Sequence, residues 1–400
     1  MSQRSRRLVS VGVALLMALA LSCAVTLAAD GRERPHLIAR ISVPPPTGGT
    51  YLSIFAPDGA NPGQLIIESG LQAAMSYDTR WLATWGYEEL SRREVIAYRQ
   101  VNGRPINIDI EPGFTAMDAA FSRDARYLIY TQAALEPRLW ILGIVELETG
   151  RIVELVGPAD DSSPLGPMLV GNALDLTDER LILWAYLPFA GGNFGGIYAM
   201  DVPGLASAAA GRYAMPSATQ LLPGGEPVMM ALAPDGLALA FLDYDPANPP
   251  RDFEAMGPVP SYNRLRVVDL LSGTVQTLAQ AGPGQGLGVL TWTPDSTSVL
   301  FTGGNYRGSY FISMPRLYTV DRETSTVVEV APITDDPAES VIAIRHCGDT
   351  LFSVGAVDDP TGGQRATLYS APAGSPARRS GLVRGVYIQA MQCGMPERTP

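Results

Sequence analysis

The chain carries few of the side chains that usually do chemistry. Its two histidines, His36 and His346, do not have the spacing of a zinc site. All 29 basic residues are arginine, which excludes Schiff-base chemistry and a phosphate-loop lysine. No Gly-x-Ser-x-Gly elbow occurs, so a hydrolase of that kind is excluded. Asp243-x-Asp245 could touch a hard cation, but the further ligands of a calcium loop are missing from its neighbourhood. No metal and no cofactor are therefore expected. Forty acidic residues remain, and what they can do depends on the elements that hold them.

Six of the aspartates fall in one recurring pattern. "LAPDGLALAFLDYD", from Leu232 to Asp245, has a small apolar strand, a turn bearing Asp, and a second apolar strand. "LTWTPDSTSVLFTGG" and "AAFSRDARYLIYTQ" share the plan; "AAMSYDTRWLATWG", "ALDLTDERLILWAY" and "AIRHCGDTLFSVGA" are looser copies. The turn residues are Asp78, Asp124, Asp178, Asp235, Asp295 and Asp349, spaced 46 to 60 residues apart. Such a period suits propeller blades of four strands each. The carboxylates are read as turn formers that accept backbone N–H bonds, with glycine admitting positive φ where it occurs. A second unit follows each copy, clearest in "RLYTVDRETSTVVEV" from Arg316, and supplies an outer hairpin.

The expected fold is therefore all-β: a propeller of four-stranded blades. The ends set the count. "TYLSIFAPDGANPGQLIIE" (Thr50 to Glu68) reads as an outer hairpin with no inner pair before it. "GVYIQAMQCG" (Gly385 to Gly394) reads as an innermost strand with nothing after it. With "HLIARISV" they make a seventh blade shared by both termini, which removes the free sheet edges. Six blades are the alternative if the terminal strands only cap the ring.

The Pro-Asp-(Gly or Ser)-x3-apolar-Phe pattern at Pro234 to Phe241 and Pro294 to Phe301 resembles the WD40-like repeats of the TolB propeller. The resemblance spans about Leu71 to Leu382. It implies the fold; it does not carry over TolB's partner, because the α/β domain that precedes TolB's propeller has no counterpart here.

Residues 1–29 read as a secretory signal or an N-terminal membrane anchor, and 30–400 as a single propeller domain. Arg4, Arg6 and Arg7 precede an uncharged stretch from Leu8 to Ala29. Cys23 follows Ala-Leu-Ser, a poor lipobox that leaves lipidation as a further option. Each reading puts the bulk of the chain outside the cytoplasm: secreted, periplasmic or anchored to the outer side of the membrane. Without those three arginines, 26 basic residues face 40 acidic ones, a poor match for a nucleic-acid backbone.

In such blades the first-to-second and third-to-fourth turns share one face, and the longer connections share the other. Long loops on a rigid scaffold are where binding resides. The expected contacts are Phe194 and Tyr306, from "GGNF" and "GGNY", with Asp243 and Asp245; ordinary loop packing is the alternative. Cys347 and Cys393 fall at matching points of two inner strands in an oxidising compartment, so they pair as a disulfide or remain two buried thiols. The functional reading is a non-catalytic binding scaffold for a protein or an envelope polymer, touching membrane only through its N-terminal segment. The alternative is a propeller enzyme, a glycosidase or lyase, with acidic residues in the central channel.

Overall fold

A strand that is apolar on both faces needs a partner on each side. Tyr127–Ala134 is buried at every position, and Ala238–Asp243 at all but the last. Stacking blade on blade provides that two-sided cover.

The computed structural model describes residues 36–43, 49–56, 63–67, 71–88, 91–134, 136, 138–158, 170–176, 180–186, 195–202, 204–222, 228–243, 245, 262–282, 284–306, 312–334, 336, 338–359, 363–374, 376 and 380–394. The chain begins in the closing blade with β1 (His36–Val43), β2 (Gly49–Phe55) and β3 (Gly63–Ile67). Blade 1 is β4 (Leu71–Met75), β5 (Trp81–Glu88), β6 (Arg93–Gln100) and β7 (Ile106–Ile108). Blade 2 is β8 (Thr115–Phe121), β9 (Tyr127–Ala134), β10 (Leu139–Glu146) and β11 (Arg151–Pro158). Blade 3 holds β12 (Val170–Leu176), β13 (Arg180–Tyr186) and β14 (Gly195–Asp201); then come β15 (Gly211–Ala214) and β16 (Ala218–Leu222). Blade 4 is β17 (Val228–Leu232), β18 (Ala238–Asp243), β19 (Arg264–Asp269) and β20 (Val275–Gln280). Blade 5 is β21 (Gln285–Trp292), β22 (Ser298–Tyr306), β23 (Ile312–Asp321) and β24 (Val327–Pro332). Blade 6 has β25 (Ser340–Cys347), β26 (Thr350–Asp359), β27 (Gly363–Pro372) and the first half of β28 (Ser380–Gly394).

The seven-bladed count holds, and both termini build the last blade. The second half of β28 is its innermost strand, paired with β1 from Tyr387↔Ser42 to Gly394↔His36. The chain's first three strands complete it in the order β28-β1-β2-β3. Apolar clusters fill all seven interfaces. Between blades 1 and 2, Trp81, Trp85 and Tyr98 meet Phe121, Leu128 and Val145. The closing interface packs Ile38 and Leu52 against Leu71 and Met75. Each large, fully buried apolar side chain contributes roughly 1.5–3 kcal/mol.

Two features depart from the sequence reading. The third-to-fourth connection of blade 3 is not short: residues 202–217 leave the blade. Within them β15 pairs in parallel with β11, from Gly211↔Val153 to Ala214↔Val156, as a fifth strand of blade 2. It covers an edge that would otherwise offer unpaired backbone groups. Asp349 does not sit in the same turn as its fellows either. Cys347 pairs with Thr350, so Gly348 (φ +57°) and Asp349 form a two-residue hairpin turn.

Candidate functional site

The short-turn face is built by one repeated device. Ser76, Ser122 and Thr293 each donate a hydroxyl to the aspartate two residues on, Asp78, Asp124 and Asp295, at 2.5–2.6 Å. The same hydroxyls accept the amides of Trp81, Tyr127 and Ser298 at 2.9–3.0 Å, closing the turn. The aspartates also accept the amides of Arg80, Arg126 and Thr297 at 3.1 Å, and Asp235 accepts that of Leu237 at 2.8 Å. The residue after each Asp is left-handed: Thr79, Ala125, Gly236 and Ser296 have φ of 59°, 55°, 79° and 63°. Only one copy uses the glycine that such backbone favours. The turn at 177–179, which holds Asp178, lies outside the described residues.

The outer hairpins repeat the idea. Asp269 and Asp321 each accept two backbone amides and a hydroxyl, from Ser272 and Thr324 respectively. Those bonds hold both carboxyls below their ordinary range, as the Thr293 hydroxyl and turn amides do for Asp295. Arg322 lies over the Trp292 ring and reaches Asp235 at 3.3 Å and Asp269 at 3.6 Å, tying blade 5 to blade 4. These carboxylates are spent on the scaffold.

On the opposite face, Asp243 ends β18 at the root of the longest connection, residues 244–263. Its carboxylate accepts two bonds from Arg264, at 2.6 and 2.8 Å, and one from Arg266 at 2.9 Å. The Asp245 amide donates to the Asn263 side chain at 2.8 Å, and the Asp245 carboxylate also acts on Arg264. A guanidinium therefore stands beside the two carboxylates considered for a cation. Tyr306 ends β22, opposite Ile312. Phe194 lies outside the described residues, as do Cys23 and the whole N-terminal segment 1–35.

The inner ring brings together residues that no local pattern linked. Six of the seven innermost pairings contain a register break, the exception being β4 with β5. Such bulges re-aim side chains. One lies between Ala116 and Asp118, and another beside Arg40. Arg40 donates through Nη1 to the Gln72 side chain, while its buried Nε has no partner. Burial pushes the Asp118 carboxyl up to about 6, against the opposing pull of the Ala119 amide and of Arg40. Asp118 and Arg40 make no direct ion pair among the described residues. On the other side of the closing strand, Arg345 donates from Nε to the Met391 carbonyl at 3.0 Å. Burial lowers its pKa and that of Arg40, the mark of cations without full compensation. The sequence signal for all three charges was a single ionised residue inside an apolar strand: HLIARISV, TAMDAAF and VIAIRHC.

The remaining sequence candidates are placed as follows. Cys347 and Cys393 form a disulfide with a Cα separation of 5.6 Å, joining β25 to β28. His36 is buried with its ring against Gly394, where a Cβ would collide with it. Burial depresses the pKa of His346, whose Nδ1 has no partner. A cavity of about 500 Å³ opens on the short-turn face between blades 3 and 4, lined by Arg180, Asp201, Thr219, Gln220 and the Leu271–Gly273 turn. The 202–217 excursion flanks it; the sequence reading had no pocket on this face.

Neither a protein-family model nor a curated protein sequence matches the chain. Solved structures do. The β-propeller domain of the Trilobed protease from Pyrococcus furiosus superposes with a TM-score of 0.51 at 11% identity, covering 87% of this chain and 94% of that one. A puromycin-hydrolyzing peptidase of Mycobacterium tuberculosis gives 0.52 at 13% identity, over 90% of this chain but only 55% of the peptidase. TolB from Acinetobacter baumannii gives 0.40 at 14% identity, over 90% and 82%. At these identities the likeness is one of fold.

Proposed function

We propose that this chain is a non-catalytic binding propeller of the TolB-like, WD40-like-repeat kind, working outside the cytoplasm, with a protein or envelope polymer held on its long-connection face. The division of carboxylates between the faces carries this reading. On the short-turn face Asp78, Asp124, Asp235, Asp269, Asp295 and Asp321 are committed to their own turns. Groups so committed stiffen the ring and leave little to offer a partner. The connections 187–194, 244–263 and 307–311 leave strand ends on the other face. The Asp243–Arg264–Arg266 cluster, whose carboxylate accepts three bonds from the two guanidiniums, gives the longest of them a fixed base. The export-type N-terminus supports the location, and an acidic surface without lysine disfavours nucleic acid.

The test is capture from a solubilised cell-envelope fraction by tagged protein. Replacing 246–261 with a short Gly-Ser link is expected to abolish capture, and altering the Asp78 and Asp124 turns to leave it. The reverse pattern overturns the choice of face.

One observation favours the second reading, an enzyme in the channel. A carboxyl that keeps its proton to about pH 6, as Asp118 does, has the property a general acid needs near neutrality. If the protein cleaves acidic or neutral polysaccharide, Asp118→Asn removes the activity and leaves the fold. Polysaccharide untouched by wild-type protein overturns that reading.

A further inference from the structure

Four blades end their third strand on a carboxylate. Glu146, Asp201, Asp269 and Asp321 stand there, opposite Tyr127, Arg180, Ala238 and Ser298, the first residues of the strands before. In blades 2, 4 and 5 a tight hairpin turn follows and consumes the carboxylate. Glu146 accepts from the Thr149 hydroxyl, and Asp269 and Asp321 accept amides and a hydroxyl of their own turns. In blade 3 the chain leaves the blade instead. Asp201 accepts no hydrogen bond and makes no ion pair among the described residues.

The missing turn leaves a space. Arg180 and Asp201 lie two residues along from the row Ile182, Ala199 and Thr219, so they point the same way, toward blade 4. Deeper in that interface Ile182, Ala199 and Leu221 pack with Leu239, Val268 and Leu270. Above this apolar floor is the cavity of about 500 Å³, with the Leu271–Gly273 turn of blade 4 as its far wall. Clefts of roughly 300–1,000 Å³ take small organic ligands, and a dipeptide is of that size.

The far wall differs from its counterparts at one residue. The Leu271 amide bonds to Asp269 as the Glu323 amide bonds to Asp321, and Gly150, Gly273 and Ser325 each take positive φ two residues on. The matching residue of blade 2 is Glu148. Blades 2 and 5 thus place a charged side chain there, as a solvent-facing turn favours. Blade 4 places leucine there, 70% exposed, the most exposed large apolar side chain among the described residues, and it lines the cavity.

We propose that this cavity binds a short aliphatic peptide with free termini. The lining supplies one contact for each part of such a ligand. The Asp201 carboxylate takes the ammonium. Arg180 takes the carboxylate, since a guanidinium has five N–H donors and a partner within the chain leaves others. Leu271 covers an aliphatic side chain. The Gln220 NH2 donates to the Tyr198 hydroxyl at 3.3 Å, which leaves its carbonyl oxygen to accept a peptide N–H. A simple anion or cation would meet one opposite charge beside one like charge. A neutral sugar would leave both charges unanswered, and the lining has no aromatic ring for it to stack on. The site is on the opposite face from the long connections, so either can fail without the other.

The experiment is calorimetric titration of the full chain with leucyl-leucine at neutral pH and low salt. Acetyl-leucyl-leucine lacks the ammonium, leucyl-leucine amide lacks the carboxylate, glycyl-glycine lacks the aliphatic side chains, and maltose is a neutral sugar. Saturable one-to-one binding of leucyl-leucine is expected, with the other peptides weaker by about tenfold or more and maltose silent. Asp201→Asn and Leu271→Ser are each expected to weaken leucyl-leucine by about tenfold, and Arg80→Gln in blade 1 to leave it unchanged. Both cavity side chains are exposed, so their replacement is expected to move the melting temperature little. Asp201→Asn is expected to bind acetyl-leucyl-leucine as wild type does, because the group it would have met is already gone. Absence of saturable binding, equal binding of any of the other peptides, displacement of leucyl-leucine by maltose, or wild-type binding by either cavity variant overturns the assignment.

Discussion

Cys347 closes the innermost strand of blade 6, Cys393 lies on the strand that the C-terminus lends to blade 7, and their Cα atoms are 5.6 Å apart in a disulfide. The bond staples the last strand of the chain to its neighbour at the place where the ring is joined. Substituting Cys393 by Ala is expected to lower stability by roughly 2–4 kcal/mol and to free the C-terminal strand for proteolysis. Intact mass under non-reducing denaturing conditions tests the bond itself: alkylation of both thiols there rules it out.

Asp118 makes stability depend on pH in an unusual direction. Its folded pKa of about 6 lies above its ordinary value of 3.8, so the folded chain holds the extra proton between the two. Its contribution is fullest below the ordinary value and is lost as pH rises toward 6. Asp118→Asn is expected to match wild type near pH 4 and to exceed it at pH 7.5 by about 1–3 kcal/mol. Denaturant melts at the two pH values measure this. Equal differences at both would show that Asp118 does not titrate as described.

The turn aspartates act with the opposite sign. Asp269, Asp295 and Asp321 are held below their ordinary range, so their contribution is present above it and fades as pH falls through the lowered values. Asp124→Ala is expected to cost about 1–3 kcal/mol at pH 7, through loss of its bonds to Ser122 and the Arg126 amide. Ala125→Gly is expected to gain about 0.5–1 kcal/mol, because Ala125 sits at φ +55°. A loss at Ala125→Gly would contradict the left-handed turn.

Phe194 and Tyr306 remain the aromatic contacts proposed for the long-connection face. Their replacement by Ala is expected to weaken partner capture while shifting the melting temperature little. A double variant that captures normally removes both from the binding surface.

A ring joined at its termini is expected to have no separable half. Limited proteolysis is expected to cut first within 246–261 and to leave the fragments associated on gel filtration. Fragments that part and refold alone would contradict a single domain.

Much of this protein was legible in the chain itself, because a blade is a local object. Its strands follow one another, its turns carry Asp at a recurring place, and burial on both faces writes runs such as ALAFLD. The shared closing blade was legible for the same reason, since an outer hairpin without inner strands at one end and a lone strand at the other favour closure into a seventh blade over a six-bladed ring with terminal caps. Tertiary structure alone decided what long-range contacts decide. β15 crosses from blade 3 to blade 2 because an edge there needed backbone partners, and no periodicity announces such an excursion. Arg40, Gln72 and Asp118 are scattered across the chain and come together only because blades 7, 1 and 2 converge on one axis. Each showed in the sequence as a polar residue in an apolar strand, but their approach comes from strand register and bulges, which depend on pairing partners rather than on neighbours in the chain.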